Sequence, residues 1–562
     1  MINPLYSIIM APANELKKLI KNKLGSRRLF YVCRDAERAE AGLILGLRNY
    51  IVITNASNYS VVLRKKYPKQ IVEIRADKIL DTLDLLKSEV TKKLIKKNDY
   101  LMVFKPTVQI EAICRELNWQ CINPQAALAN LAEEKITQFE WLGNLSKFLP
   151  KTRVSVLKDV EWTGKKFIVQ FNRAHTGSGT VLIESSKQLK NLQKFFPLRE
   201  ARIAQYISGP VITSNNIVLG KQILLGNISY QITGLAPFTD NRFATIGNDW
   251  TLAGKILNKK SRNQYVKIVK AIGDKLRKDG WAGLFGIDAV VDERRGKIYL
   301  IEINARQPAS TCFESILQND KRRTGELTVF EAHLLSLLNC SLKKAKIAKI
   351  FSGAQIVQRV TIALPELDEP SIFKPVNFRH ILYNNTKPES DLLRVQTRHG
   401  VMERHAELNE HGNELSIFIR SGKTGRNFNG PRAGMMLIKN NRILLLERNR
   451  YGYHYWAIPG GTVEKGEDIK KTASREILEE TGLRVKIDSS SKPIIISASR
   501  HETYFWPADF TGKAKLGGPE KERNSKENHY SLKWVKFAEL KKINLLPPQL
   551  KSALLKKIKI DL

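Results

Sequence analysis

Short apolar runs alternate with polar, helix-like stretches along the first 125 residues of the chain. The apolar runs predict strands at residues 28–33, 50–54, 71–74 and 100–104, and the stretch 79–97 has the pattern of a helix. Strands that alternate with helices are typical of a parallel α/β sheet. Because no GxGxxG motif follows the first strand, the sequence does not support a dinucleotide site here. We therefore predict a parallel α/β domain for this region.

A second α/β region, residues 126–345, ends in a hairpin pattern with polar side chains at defined positions. Strand alternation places Glu302 and Asn304 on a common face, and the hairpin turn brings them towards Asp288 on the other strand. Two carboxylates and one amide oxygen then converge, which suits one or two Mg²⁺ ions that bridge phosphates. Arg306 follows and could bind an anionic intermediate. The alternative is a polar strand end whose charges are simply paired.

Residues 346–427 are the least regular part of the chain. They carry short strand-like runs at 354–362 and 415–419, separated by Pro, Asn and His. The run 421–431 is rich in turn-forming residues and marks a boundary. We predict a β-rich connecting region between two larger domains.

The last region, residues 428–562, begins with a predicted β-hairpin and continues with a helix at 468–480. Three carboxylates share one face of that helix because of their spacing: Glu476, Glu479 and Glu480. Three clustered anions repel one another, so a surface helix gains nothing from them alone. A hard divalent cation such as Mg²⁺, which prefers oxygen ligands, would reverse that penalty.

Residues beside this helix add to the same candidate site. Glu467 precedes the helix and could turn back towards it, and Arg475 can orient a carboxylate through a bidentate pair. Gly460 and Gly461 allow a backbone carbonyl to approach closely. The pattern predicts a magnesium site built on one helix and the turn before it.

Composition sets broader limits. A chain of 562 residues predicts three or four domains, and five cysteines without a CxxC pair argue against a disulfide framework or a zinc knuckle. No apolar stretch is long enough for a transmembrane helix, and no signal peptide is recognisable, so we expect a cytoplasmic protein without a membrane partner. The net charge of +38 comes from lysines scattered through every region. It therefore indicates attraction to anionic substrates such as nucleotides, and a nucleic-acid partner is not favoured. The oligomeric state is not indicated.

The C-terminal pattern has a recognisable form. Gly-x5-Glu-x7-Arg-Glu-apolar-x-Glu-Glu-x-Gly-apolar is matched at Gly461, Glu467, Arg475, Glu476, Ile477, Glu479, Glu480, Gly482 and Leu483. From about residue 428 onwards the chain resembles the Nudix hydrolases. This resemblance implies an α/β/α sandwich that hydrolyses a nucleoside diphosphate linked to another group. It also implies Mg²⁺ (or Mn²⁺) held by four glutamates and one backbone carbonyl, which are those of Glu467, Glu476, Glu479, Glu480 and Gly460.

The general base is not part of that pattern. In the family it often lies in a later loop, and Glu520, which follows Gly517-Gly518-Pro519, is our candidate. The alternative is an exposed loop glutamate without a catalytic role. Tyr453, Tyr455 and Trp456 could stack on a nucleobase, or they could pack into the core.

The order of strand, glycine-rich loop, Gln-Tyr-Ile segment and acidic hairpin resembles the ATP-grasp superfamily, and residues 1–125 resemble the domain that usually precedes it. The resemblance implies ATP and Mg²⁺ as cofactors, with Asp288, Glu302 and Asn304 as metal ligands and Arg306 as a catalytic residue. It also implies nucleotide contacts from Lys135, Gln170, Gly177, Ser178, Gly179, Gln205, Tyr206 and Ile207.

One position departs from that family. Many members carry a lysine at the end of the strand before the glycine-rich loop, and this chain has Gln170. We therefore predict a bifunctional enzyme of α/β and α+β class, in which an ATP-grasp region joins a carboxylate to an amine or similar nucleophile and a Nudix domain acts as a pyrophosphatase. The alternative is a Nudix hydrolase whose ATP-grasp-like region is a non-catalytic nucleotide-binding or interaction module.

Overall fold

The computed structural model describes residues 16–172, 179–340, 342–361, 378–383, 385, 387–421, 431–450, 453–464, 466–497, 501–518, 521, 524 and 528–560. These residues form two compact units, one up to Gly412 and the other from Asn413 onwards. Each unit has its own sheets and its own apolar core. No helix in the described ranges combines the length and the apolar character that crossing a membrane requires.

The first unit begins with a five-stranded parallel sheet of order β3-β2-β1-β4-β5. Its strands are β1 Leu29–Val32, β2 Tyr50–Asn55, β3 Ile71–Ile74, β4 Tyr100–Val103 and β5 Gln120–Cys121. All four residues of β1 are buried, as expected for a parallel strand with elements packed on both of its faces. The parallel α/β sheet predicted from the sequence is confirmed.

The helix predicted at residues 79–97 is two helices in the structure, Thr82–Lys87 and Glu89–Leu94. Ser88 interrupts them because its backbone is extended and its side chain accepts a hydrogen bond from the Thr91 N–H, as an N-terminal cap does. The apolar periodicity continues across this break, which is why the sequence pattern suggested one helix.

The remaining first-unit strands form a four-stranded sheet of order β6-β9-β7-β8 and a nine-stranded sheet. The former consists of β6 Thr152–Val156, β7 Phe167–Gln170, β8 Thr180–Ile183 and β9 Glu200–Gln205. The latter consists of β10 Val211–Leu219, β11 Gln222–Leu224, β12 Ser229–Thr233, β13 Thr245–Asp249, β14 Gly283–Val291, β15 Ile298–Asn304, β16 Ala354–Arg359, β17 Phe378–Leu382 and β18 Asp391–Thr397. Its order is β15-β14-β10-β12-β13-β16-β18-β17, with β11 beside β10.

Strands β16 to β18 come from the segment predicted as a connecting region, yet β16 pairs directly with β13 of the nine-stranded sheet. A short ribbon, β19 Met402–Arg404 and β20 Glu407–Leu408, follows. The prediction of a strand at 415–419 is wrong, since those residues lie in the helix Glu410–Ser421. Leu415 and Ile419 are both buried and four residues apart, and this spacing fits one helix face as well as a short apolar run.

Helices complete the first unit and pack on its sheets. Besides residues 16–24 and the helices already described, they are Glu40–Ile44, Asn58–Lys66, Val108–Glu116, Ala126–Glu133, Lys135–Leu142, Ser186–Phe195, Trp250–Ile256, Lys259–Lys278, Thr311–Lys321 and Val329–Leu337. Val329–Leu337 is buried along its whole length, and its Phe330 ring stacks on Tyr31 of β1 at a centroid distance of 6.5 Å. This aromatic contact ties the parallel sheet to the rest of the unit.

The second unit holds two main sheets between two helices. One sheet has the order β25-β21-β28-β27 and the other β22-β23-β24-β31, with β30 beside β23. The strands are β21 Arg432–Met435, β22 Ile438–Lys439, β23 Arg442–Arg450, β24 Tyr453–Ala457, β25 Gly460–Thr462, β26 Arg484–Ile487, β27 Ile494–Ser497, β28 His501–Phe505, β29 Pro507–Thr511, β30 Asn528–Lys536 and β31 Leu545–Leu546. Strands β26 and β29 pair separately.

The two helices of the second unit cover separate parts of its core. Ala473 and Ile477 of helix Ile469–Thr481 pack on Leu444, whereas Leu550 and Leu554 of helix Pro548–Ile560 pack with Leu445. Leu444 and Leu445 are consecutive in β23 and so face opposite sides of its sheet. This arrangement confirms the predicted α/β/α sandwich.

Candidate active sites

The hairpin of β14 and β15 gathers the first set of predicted donors. Asp288 lies directly opposite Glu302. Asn304 Nδ2 donates to Asp288 Oδ2 at 3.2 Å, and Thr213 Oγ1 donates to Asp288 Oδ1 at 2.6 Å. Burial and the charge of Glu302 raise the pKa of Asp288 to about 6. The structure therefore places the three oxygen donors together at one end of the hairpin.

Cations surround Glu302. The Lys135 ammonium nitrogen lies 2.8 Å from Glu302 Oε1, and Arg306 Nε lies 3.5 Å from Glu133 Oε1. Burial opposes ionisation of Glu302, but the charges of Lys135 and Arg306 outweigh it and hold the pKa of Glu302 below its ordinary value. Lys135 and Arg306, both predicted as site residues, thus act electrostatically on the same carboxylate.

Gln170 has a partner that the sequence did not reveal. It ends β7 opposite Arg202 of β9, and its Oε1 accepts hydrogen bonds from Arg202 Nε at 3.1 Å and Nη2 at 2.7 Å. Arg202 also donates to Gln138 Oε1 at 2.8 Å and to the Ile301 carbonyl at 3.2 Å. Burial lowers the pKa of Arg202 to about 10 despite the charge of Glu302. No motif marks Arg202, and only the pairing of β7 with β9 identifies it.

The structure describes one of the three predicted residues of the glycine-rich loop. Gly177 and Ser178 lie outside the described residues, and the Gly179 carbonyl accepts a hydrogen bond of 3.1 Å from the Phe171 N–H. Gln205 is the last residue of β9, and Tyr206 and Ile207 carry the chain on towards β10. Tyr206 and Ile207 therefore lie in the connection between the four-stranded and nine-stranded sheets, directly after Gln205. Their contact with a nucleotide stays a prediction.

The second candidate site is organised around Arg475 of helix Ile469–Thr481. Its guanidinium binds Glu467 through Nε at 2.9 Å and Nη2 at 3.0 Å, and Nη1 lies 2.9 Å from Glu476 and 3.3 Å from Glu479. The helix begins as predicted. Asp468 caps it, because its side chain accepts hydrogen bonds from the N–H groups of Lys470 and Lys471. One arginine thus links three of the four predicted carboxylates.

The turn before the helix contacts the remaining carboxylate. The Gly460 N–H donates to Glu480 Oε2 at 2.8 Å. A Cβ at Gly461 would lie 2.1 Å from the carboxyl carbon of Glu476, so the glutamate occupies the space that a side chain there would need. The glycines therefore allow the strand and the acidic helix face to approach closely.

A further pair in this unit escaped sequence analysis. Arg432 of β21 lies opposite Glu502 of β28, and its Nη2 donates to the Ile458 carbonyl at 2.7 Å. Burial lowers the pKa of Arg432, but Tyr504 and the negative charges of Glu502 and Glu480 outweigh this and raise it. Glu502 is itself only 8% exposed and accepts a hydrogen bond from the Tyr504 hydroxyl. The only signal for this pair in the sequence was that Glu502 is an acidic residue within a strand-like run.

Other predicted residues have different outcomes. Glu520 and the side chain of Tyr453 lie outside the described residues. Trp456 is buried and packs with Leu445 in the core. Tyr455 is also buried, and the Arg448 guanidinium lies 5.5 Å from the centre of its ring.

Metal binding was tested on this geometry. Within the described part of the chain, no three His, Cys, Asp or Glu side chains are gathered closely enough to hold a metal ion. The donor chemistry nevertheless fits a hard cation in the second unit, because Arg475 offsets only one of the three negative charges of Glu467, Glu476 and Glu479, and carboxylate oxygens are the ligands that such a cation prefers. The oxygen donors Asp288 and Asn304 fit one in the first unit.

Comparisons with known proteins find one domain family in each of the two units. The ATP-grasp domain model matches residues 132–310, and the NUDIX domain model matches residues 429–555. The chain is 29% identical over 106 residues to nucleoside diphosphate-linked moiety X motif 6 of Xenopus laevis, covering 18% of this chain and 48% of the relative. It is 43% identical over 60 residues to an RNA pyrophosphohydrolase of Pseudoalteromonas translucida, covering 10% and 35%. It is 46% identical over 52 residues to an ADP-ribose pyrophosphatase of Methanocaldococcus jannaschii, covering 9% and 31%. The chain thus spans less than half the length of these curated relatives.

Solved structures resemble the first part of the chain. An ADP complex of N5-carboxyaminoimidazole ribonucleotide synthetase has 13% identity and a TM-score of 0.50, and covers 71% of this chain and 98% of its own. Biotin carboxylase of Campylobacter jejuni has 13% identity and a TM-score of 0.50, and covers 69% and 90%. At this identity the likeness concerns the fold, which is the ATP-grasp fold expected from the sequence. The chain therefore contains an ATP-grasp domain over residues 132–310, followed by a Nudix domain over residues 429–555.

Proposed function

We propose that the Nudix domain is a Mg²⁺-dependent (or Mn²⁺-dependent) pyrophosphatase that cleaves a nucleoside diphosphate derivative. The observation that carries this proposal is the arrangement around Arg475, which links Glu467, Glu476 and Glu479 beside the glycine turn. A buried or paired cluster of this kind has no evident structural purpose on a half-exposed helix face, because its carboxylates repel one another. A cation and a diphosphate would complete its charge balance.

Five groups would hold the cation: the carboxylates of Glu467, Glu476, Glu479 and Glu480, with the Gly460 carbonyl. When bound, it supplies charge neutralisation at the diphosphate and a water molecule of lowered pKa. The chain keeps its ligands ready for this. Hydrogen bonds from Arg475 lower the pKa of Glu467 to about 2, so that this carboxylate is an anion at neutral pH. The Gly460 N–H orients Glu480.

Glu502 is our candidate for the group that takes the proton from the attacking water. It stands opposite Arg432, whose charge also interacts with those of Glu476 and Glu480, so that Glu502 belongs to the same electrostatic environment as the metal-binding face. Glu520, the candidate from the sequence, remains a second one. A base of this kind typically contributes about 100- to 10,000-fold to the rate.

The relatives described above suggest substrates to test, namely ADP-ribose and RNA. The full chain, with Mg²⁺, is incubated with each substrate and with nucleotide sugars and dinucleotides, and the products are identified by mass spectrometry. Glu476→Gln and Glu480→Gln should lower turnover by orders of magnitude, whereas Glu539→Gln, an exposed glutamate of the same unit, should not. Equal turnover in all variants contradicts the proposal.

For the first unit we propose an ATP-dependent ligase. The γ-phosphoryl group of ATP passes to a substrate carboxylate and leaves ADP. An amine or similar nucleophile then attacks the acyl phosphate, so that a new bond to the carbonyl carbon forms, phosphate leaves and the nucleophile loses its proton. Asp288, Glu302 and Asn304 would hold Mg²⁺ on the phosphates, and Lys135 and Arg306 would offset the developing negative charge.

A second candidate function is a nucleotide-binding module without turnover, and the neutral Gln170 in place of a phosphate-binding lysine favours it. The two are separated by measuring ADP release by the full chain in the presence of a panel of carboxylates and amines. ADP release that depends on both additives and is lost in Glu302→Gln supports the ligase. Binding of Mg²⁺-ATP without such turnover supports the module.

A further inference from the structure

Arg202 is a buried guanidinium whose direct partners are all neutral. It is 2% exposed. Its hydrogen bonds go to the side-chain oxygens of Gln170 and Gln138 and to the Ile301 carbonyl. Among the described residues it forms no ion pair with a carboxylate. A buried charge without an opposite charge in contact is costly, so its retention calls for a reason.

The position of Arg202 supplies that reason. Gln170 belongs to β7 and Arg202 to β9 in the four-stranded sheet, whereas Ile301 belongs to β15 of the nine-stranded sheet and immediately precedes Glu302. The guanidinium thus reaches from one sheet to the strand that carries the predicted metal ligands. Glu302, the carboxylate that acts on it, is already paired with Lys135 at 2.8 Å. A further negative charge beside Arg202 would give its guanidinium an oppositely charged partner.

We propose that Arg202 binds the phosphate chain of ATP and that Gln170 is its positioning residue. The inference rests on the proposed ATP-dependent function of the first unit. Gln170 cannot supply a positive charge, but its Oε1 receives both Nε and Nη2 of Arg202 and so fixes the plane of the guanidinium. Arg202 on the neighbouring strand β9 supplies the positive charge, and the neutral Gln170 at the end of β7 holds its guanidinium in place. Gln170, Gln138 and the Ile301 carbonyl use four of the five N–H groups of the guanidinium, so one N–H and a charge that persists on burial are left for a phosphate oxygen.

A purely structural role would make Arg202 a strut between the two sheets. The two roles differ in how ligand affinity depends on phosphate. A structural contact that only shapes the nucleotide pocket would affect the affinities for ATP, ADP and adenosine alike. A phosphate ligand affects ATP and ADP but leaves adenosine unchanged.

The test is isothermal titration calorimetry of the full chain with Mg²⁺-ATP, Mg²⁺-ADP and adenosine. Arg202→Gln removes the charge. The double variant Gln170→Lys with Arg202→Gln moves the cation to the neighbouring strand. Arg153→Gln is the matched control, since Arg153 is exposed on β6, the other strand beside β9. We expect Arg202→Gln to weaken the binding of ATP and ADP by about 10- to 100-fold, as the loss of a charged hydrogen bond does. Adenosine and the control should be unaffected, and the double variant should recover most of the affinity.

The outcomes separate this inference from the function on which it rests. If the wild-type chain binds no Mg²⁺-ATP, the proposed function and the role of Arg202 both fail. If the wild type binds and Arg202→Gln binds ATP equally well, or weakens adenosine as much as ATP, only the role of Arg202 is overturned. If Arg202→Gln does not fold, Arg202→Lys keeps the charge but loses the donors that Gln170 orients, and ATP and ADP affinities that stay unchanged in that variant, or fall no more than that of adenosine, also overturn it.

Discussion

The backbone N–H of Gly460 donates a hydrogen bond of 2.8 Å to Oε2 of Glu480. Glu480 is 2% exposed near the end of helix Ile469–Thr481, and Gly460 begins β25 with a φ of 149°, which residues with a Cβ rarely adopt. The bond joins the glycine turn to the acidic helix and fixes one carboxylate before any ligand binds. The turn and the helix therefore behave as one structural element, and small changes in either should be felt at the carboxylates.

The first prediction concerns Gly461→Ala. A Cβ there would lie 2.1 Å from the carboxyl carbon of Glu476. Because this carboxyl is the end of a flexible side chain, Glu476 can swing aside and the domain should still fold. The displaced carboxylate should lower pyrophosphatase turnover by about 100-fold, as an ångström-scale misplacement of a catalytic group does. Turnover at the wild-type rate, with an unchanged fold by circular dichroism, would contradict the predicted metal site.

The second prediction concerns Glu502→Gln. If Glu502 accepts the proton from water, the variant should lose about 100-fold or more in kcat with little change in KM. Its Tyr504 hydrogen bond can persist, because an amide oxygen also accepts. Measurement of kcat and KM against pH, beside Glu539→Gln, checks this. A wild-type kcat in Glu502→Gln would exclude Glu502 as the general base and leave Glu520 as the candidate.

Site residues that lie close together in the sequence could be predicted from it, whereas those brought together only by strand pairing could not. The glutamates of the Nudix pattern lie within 14 residues of one another, from Glu467 to Glu480, and the helix and its Asp468 cap follow from the same stretch. Arg432 and Glu502 lie far apart in the sequence and meet only because β21 and β28 pair. A contact of that kind has no local spacing from which it can be inferred.

The first unit gives the same lesson. The hairpin of Asp288 and Asn304 could be predicted because its two strands are joined by a short turn. Arg202 could not, because its relation to Gln170 depends on the register of β7 and β9 across an intervening helix. The sequence therefore indicated a missing positive charge beside the phosphates, whereas the structure places a cation one strand away.

The third prediction compares neighbouring residues of the signature helix. Ile477 is fully buried against Ala433 and Leu444, whereas Leu478 is 47% exposed. Ile477→Ala should destabilise the second unit by about 2–5 kcal/mol, because it removes apolar contacts and leaves a cavity. Leu478→Ala should cost much less. Thermal unfolding of both variants measures the difference, and equal destabilisation would mean that the helix does not pack as described.

The last prediction concerns acid sensitivity of the first unit. His333 is buried, and its Nδ1 accepts a hydrogen bond of 3.0 Å from the Leu284 N–H. Burial lowers the pKa of His333 to about 3. In the unfolded chain the pKa is about 6.5, so between these values the unfolded state binds the additional proton. The stability from neutral His333 is therefore complete above pH of about 6.5 and is lost progressively as the pH falls towards about 3.

Between about pH 7.5 and about pH 5.5 the contribution of His333 lowers the unfolding free energy by about 1.4 kcal/mol, which is measured as the difference between the wild type and His333→Asn. In His333→Asn the amide oxygen can still accept from the Leu284 N–H, but it does not titrate, so this contribution should disappear. His501→Asn is the control, because His501 is exposed and lies in the second unit, and it should keep the wild-type dependence. Urea unfolding followed by hydrogen exchange of peptides covering Gly283–Val291 reports on this part of the chain. Equal pH dependence in the wild type and His333→Asn would mean that His333 does not stay neutral in the folded protein.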